Sequence, residues 1–109
     1  MSAREVSEMN LEELQARALR ATGLLKAMAH PIRLMVLCQL AEGEKSVGEL
    51  ERVGHVTQSA LSQHLALLRS RGLVTTRRSG QTILYSLAGR EAPALLAALY
   101  EVYCSRVKA

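Results

Sequence analysis

Apolar residues Leu11, Leu14, Ala18, Ala21, Leu25 and Met28 recur at steps of three and four, the period of an amphipathic helix. Asn10 before Leu11, with Glu13 three positions on, has the spacing of a capping box, and together these predict a helix over about residues 10–28. His30-Pro31 breaks it, because the residue before proline is pushed out of the α region. Pro31 is itself suited to open the next helix, where a missing N–H costs nothing. That helix is predicted over 31–41. Ile32, Val36 and Leu40 form one line on it and Leu34, Cys38 and Ala41 the next, and Glu42-Gly43-Glu44 ends it.

Ser46 and Glu49 repeat the capping-box spacing and predict a short helix over 46–53. The turn Gly54-His55-Val56 follows. Thr57 then caps a helix to about Arg71, stopped by Gly72 just past its end. Two short helices joined by a glycine-bearing turn of this length are the signature of a helix-turn-helix. After Gly72 the period changes to two. Residues 74–78 and 82–87 read as strands of a hairpin joined by Ser79-Gly80-Gln81, with Ile83, Tyr85 and Leu87 facing the core. A last helix is predicted over about 90–106. Its stripe of Leu95, Leu96, Leu99, Val102 and Tyr103 is backed by Ala94, Ala97 and Ala98, so it is apolar nearly all round. Such a helix is buried on more than one side, and in a small chain the expected cover is a second subunit. The expected order is four helices, a hairpin and one helix: mainly α, with a β-hairpin.

The 109 residues suit a single domain over 1–109, with residues 1–9, polar and mixed in charge, as a flexible lead-in. No apolar run approaches the roughly 18–20 residues that cross a bilayer, and no signal peptide is evident, so a cytoplasmic protein with no membrane partner is expected. Three tyrosines with no Phe or Trp make the core aliphatic and exclude an aromatic platform for sugars or single strands. Two cysteines are too few for a disulfide scaffold, and metal ligation by His30 or His55 is not expected. A thiol enzyme would need an activated cysteine beside a positioned base, and no Cys-x-x-Cys is present. No cofactor is implied.

Fourteen Lys and Arg against ten Asp and Glu leave a net charge of +4, which is weak support for nucleic acid by itself. Placement says more. Gln58, Ser59, Ser62 and Gln63 line the outer side of the second helix of the helix-turn-helix, opposite Ala60, Leu61, Leu65 and Leu68. Such side chains read base edges in the major groove from the N-terminal turns of a recognition helix. The N–H groups near Thr57 suit a phosphate. A solvated helix face is the plain alternative. Arg77, Arg78 and Gln81 flank the glycine tip, either as a wing on the DNA backbone or as an edge strand kept soluble by charge. His64 fits a phosphate contact and a half-buried packing position equally well. Cys38 and Cys104, 66 positions apart, are either small core residues or a redox pair.

The run Leu24-Leu25-Lys26-Ala27-Met28-Ala29-His30-Pro31-Ile32-Arg33 resembles the ArsR/SmtB family of winged helix-turn-helix repressors. So do Thr57-Gln58-Ser59-Ala60-Leu61-Ser62-Gln63-His64-Leu65 and Arg71-Gly72-Leu73-Val74 with a wing ending at Tyr85. The resemblance covers about residues 20–104. It implies a homodimer joined through the first and last helices and a double-stranded operator with an inverted repeat. The metal motifs of the family are missing: residues 44–49 hold no cysteine, and residues 90–109 hold no histidine. Cys38 and Cys104 instead match a branch, BigR/SqrR-like and HlyU-like, with one cysteine in the second helix and one late in the last. That branch implies a redox-sensing dithiol, crosslinked by reactive sulfur species (persulfide or polysulfide) or by oxidants. It holds repressors and also anti-repressors that act as activators. A same-fold regulator without a thiol switch remains the alternative.

Overall fold

Cap chemistry sets where the helices begin in the computed structural model, which describes residues 3–104. Helix α1 (Ala3–Glu8) is followed by α2 (Leu11–Met28), whose N-cap Asn10 accepts from the Glu13 N–H at 2.8 Å and donates to the Glu13 carboxylate at 3.0 Å. At α3 (Pro31–Ala41) the cap is a histidine: His30 Nδ1 accepts from the Ile32 N–H at 3.1 Å. Helices α2 and α3 meet at 93°. Strand β1 (Lys45–Ser46) leads into α4 (Val47–Leu50), where Ser46 and Glu49 form both bonds of the capping box. Thr57 caps α5 (Gln58–Ser70) by accepting from the Ala60 N–H at 3.1 Å.

Helix α5 ends in a Schellman motif. Gly72, at φ +73°, donates to Arg69, and Leu73 donates to Leu68, each at 3.0 Å. That reversal aims the chain into β2 (Val74–Ser79), which pairs with β3 (Thr82–Leu87) from Val74↔Leu87 to Ser79↔Thr82. Only Gly80 and Gln81 lie between the paired ends. Positive φ at Gly80 alone is the type II′ pattern, whose twist matches that of the strands. Helix α6 (Glu91–Tyr103) closes the described chain, with Cys104 as its C-cap.

Four features differ from the sequence-based expectations. Ala3–Glu8 is helical where a lead-in was expected, with Arg4 and Glu8 one turn apart at 3.4 Å. The third expected helix shortens to Val47–Leu50, because Lys45 and Ser46 pair with Tyr85 and Leu84 to make a three-stranded antiparallel sheet in the order β1-β3-β2. A two-residue strand leaves no periodicity to read. Ile83 stays outside the core that Tyr85 and Leu87 pack against. Cys38 and Ala41 are exposed, because α3 turns Val36, Leu37 and Leu40 inward. The expected continuation of the last helix over 105–106 lies outside the described residues.

The core is aliphatic. Val36, Leu37 and Leu40 of α3 meet Leu50, then Leu61, Leu65 and Leu68 of α5, Leu73 and Val74, and Ala92 and Leu96 of α6. No polar side chain is buried among the described residues. Helix α3 sits centrally, against α2, α5, α6 and β3. Helix α2 contributes only Ala27 and Met28 to the core and leaves Leu11, Leu14, Leu19 and Leu25 exposed. Helix α6 leaves Leu99, Tyr100, Val102 and Tyr103 uncovered in the same way. The apolar stripes of α2 and α6 read from the sequence thus exist, but within one chain only Met28 and Leu96 of them are buried. No single described helix is long and apolar enough to cross a membrane.

Candidate nucleic-acid interface and dithiol site

Helix α5 has two chemically distinct sides. At 100° per residue Gln58, Ser59, Ser62 and Gln63 share an arc of about 140°. All four are exposed, while Leu61, Leu65 and Leu68 are buried behind them. The buried row fixes the rotation of the helix, so the polar row points outward. Its amides and hydroxyls make no hydrogen bond to other described residues and keep their donors and acceptors for a ligand. Thr57 is exposed as well, but its hydroxyl is committed to the cap.

His64 is half-buried. It lies on the flank of α5 away from the polar row, its ring centroid 4.4 Å from that of His30. Arg33 donates from Nη1 to His64 Nδ1 at 3.3 Å, which places the imidazole proton on Nε2. The same guanidinium donates from Nε to the Ala27 carbonyl at 2.6 Å and from Nη2 to the Lys26 carbonyl at 3.2 Å. Arg33 therefore ties the C-terminal carbonyls of α2 to α5. Burial first, then the positive charges of His30 and Arg33, hold the His64 imidazole below its ordinary range. The imidazole thus joins the cap of α3 to α5.

The hairpin places its two arginines on opposite faces of the sheet, as alternation in a strand requires. Arg78 and Gln81 are exposed near the tip, and Arg78 has no partner among the described residues. Arg77 is engaged by Glu44, with Nε to Oε2 at 2.6 Å and Nη2 to Oε1 at 2.7 Å. Hydrogen bonds from this guanidinium hold the Glu44 carboxyl below the usual carboxylate range. The sequence marked Glu44 only as a helix terminator and Arg33 only as the end of a family-like run. Their partners stand 33 and 31 positions away, and no local pattern marks such pairs.

Cys38, midway along α3, and Cys104, capping α6, are both free and exposed. Burial pushes the Cys38 thiol up, and Cys104, at the end of the helix packed against α3, pushes it in the same direction. Cys38 opens onto a shallow groove with Met35, Lys45 and Arg52 on its walls. Among the described residues no three His, Cys, Asp or Glu side chains gather as a metal site.

Residues 30–76, which span the helix-turn-helix and the start of the first wing strand, match the family described as bacterial regulatory protein, arsR family. The transcriptional activator HlyU of Vibrio cholerae is 49% identical over 96 residues, covering 88% of this chain and 89% of that one. The biofilm growth-associated repressor of Xylella fastidiosa is 45% identical over 103 residues, covering 94% and 90%. Among solved structures, reduced HlyU from Vibrio cholerae aligns with a TM-score of 0.82 at 47% identity, over 87% of this chain and 100% of that one. The homodimeric winged helix-turn-helix DNA-binding domain Mb0332 of Mycobacterium bovis aligns at 0.74 and 28% identity, over 93% of each chain.

Proposed function

Because this chain belongs to the ArsR family of bacterial regulatory proteins, we propose that it is a homodimeric DNA-binding repressor switched by thiol chemistry at Cys38 and Cys104. It is a transcriptional regulator and not an enzyme. One observation carries the switch: two exposed free thiols, 66 positions apart in sequence, sit on α3 and at the end of α6, two helices that pack against each other. The apolar faces of α2 and α6 support the dimer, since a second copy would cover them.

In the reduced dimer Gln58, Ser59, Ser62 and Gln63 read base edges of an inverted repeat. Arg77, Arg78 and Gln81 lie along the phosphates beside them. The inducer is a reactive sulfur species or an oxidant. With a low-molecular-weight persulfide RSSH, one cysteine thiolate attacks the outer sulfur and displaces RS⁻. The second thiolate then attacks the inner sulfur of the resulting cysteine persulfide, which forms the Cys38–Cys104 disulfide and releases hydrosulfide. The bridge ties α6 to α3. Since α6 carries part of the apolar face that a second copy would cover, the tie changes the spacing of the two recognition helices, and half-sites one turn apart no longer fit. A difference of about 1.4 kcal/mol between the two forms gives tenfold in affinity.

Operator binding of the reduced protein and of the persulfide-treated protein, with intact-mass analysis of each, tests this. The treated protein is expected to gain an intramolecular bridge and to lose affinity. Equal affinities, or a Cys38→Ser variant that still responds, would remove the switch and leave a regulator with another inducer. The name of the Vibrio relative supports a second reading, activation, for which displacement of another DNA-binding protein is the route we propose. Competition footprinting on the target promoter separates it from repression.

A further inference from the structure

Two adjacent cations on β2 have opposite fates. Arg78 is unpartnered among the described residues, whereas Arg77 is held by Glu44 through two parallel hydrogen bonds of 2.6 and 2.7 Å. Ser86 on β3 donates to the same Glu44 Oε2 at 3.4 Å. Glu44 reaches the wing from the loop between α3 and β1. The fork is open to the outside, with side-chain exposure of 60% for Arg77 and 31% for Glu44. A carboxylate that accepts two bonds from one guanidinium occupies the position a phosphate takes in the same fork.

We propose that Glu44 is an internal stand-in for a DNA phosphate, a positioning residue that orients the Arg77 fork before binding and yields it on the duplex. The inference rests on the reading that this chain binds double-stranded DNA, and it adds how the wing is regulated. Until the exchange, the Glu44–Arg77 pair brings no net charge to the duplex and Arg78 alone attracts the backbone from the wing. This keeps the wing from holding any sequence it meets. On a site where the recognition helix seats well, Arg77 passes from the carboxylate to a phosphate.

Counterion release gives the test. A wing lacking Glu44 presents one more positive charge, and each added phosphate contact steepens the dependence of log affinity on log salt by about 0.9. Affinity for a labelled mixed-sequence duplex is measured by anisotropy over a salt series for wild type, Glu44→Gln, Arg77→Ala and the double variant. Glu44→Gln is expected to bind more tightly at low salt, with a slope steeper by up to about 0.9 per wing. Arg77→Ala is expected to abolish that gain on the Glu44→Gln background. An unchanged slope in Glu44→Gln, with affinity equal or weaker, overturns the proposal and leaves the pair a brace of the wing. Glu44→Ala gives the same readout should the glutamine variant fail to fold. Wild-type protein that binds no duplex removes the DNA-binding reading itself, and this inference with it.

Discussion

The rings of His30 and His64 lie 4.4 Å apart between centroids and tilted by 48°, so the cap of α3 and the inner flank of α5 meet through two imidazoles. Arg33 stands beside them with a permanent positive charge.

This contact makes stability depend on pH. His64 titrates below its ordinary value of 6.5 in the folded chain, so below about pH 6.5 the unfolded chain binds more protons there than the folded one. The His64 contribution is full above that pH and is lost as pH falls through the folded value. Urea midpoints between pH 8 and about 5 are expected to fall for wild type and to fall less for His64→Gln. Parallel curves would contradict this.

The helix-turn-helix elbow depends on one glycine. Gly54 has φ +70°, and a Cβ there would meet Ile32 Cδ1 at 2.6 Å, whereas a Cβ at Gly72, φ +73°, would meet open space. Gly72→Ala is expected to cost about 1–2 kcal/mol from the left-handed backbone alone. Gly54→Ala should cost more, because Ile32 must also move. Thermal melts of the two variants give the order.

Thiol reactivity should report the pairing of sulfurs. Replacing Cys104 by Ser removes the charge that helps raise the Cys38 pKa but leaves the larger effect of burial. Alkylation of Cys38, followed by mass against pH, is expected to set in at lower pH in Cys104→Ser than in wild type, still above the ordinary thiol value of 9.0. An unshifted profile would mean that the thiols do not interact.

Base reading and backbone holding separate in salt. Gln58→Ala should cost about 1–3 kcal/mol on the operator, with little change on unrelated duplex. Arg78→Ala should weaken both, with a salt slope shallower by about 0.9 per contact. Titrations on both duplexes at several salt concentrations distinguish the two effects.

An aspartate in the uncovered face of α6 should separate the subunits. Val102 is 62% exposed, so Val102→Asp buries no charge in the single chain. Sedimentation is expected to show a folded monomer, with helical circular dichroism retained.

Local chemistry was the legible part of the molecule. Asn10, Ser46, Thr57 and Gly72 act on neighbours within a turn, so their spacing alone located the helix ends. The polar row of α5 was legible for the same reason, since Leu61, Leu65 and Leu68 fix the rotation of that helix. Pairings across the fold were not. Glu44 and Arg77 meet only because β1 docks on β3, and Arg33 meets His64 only because α3 packs on α5. Periodicity also shows that a face is apolar without showing what covers it, which is why Leu11, Leu14 and Leu25 marked a helix and yet lie exposed.

Helix α3 carries Cys38 and, five residues earlier, the Arg33 that grips α5. At 1.5 Å per residue these points are about 7.5 Å apart along the axis. After Pro31 the helix contains neither glycine nor proline, so nothing between them supplies a hinge. Helix α3 is thus a stiff segment with its break at His30, so a displacement at Cys38 would carry to α5 as motion of the whole helix.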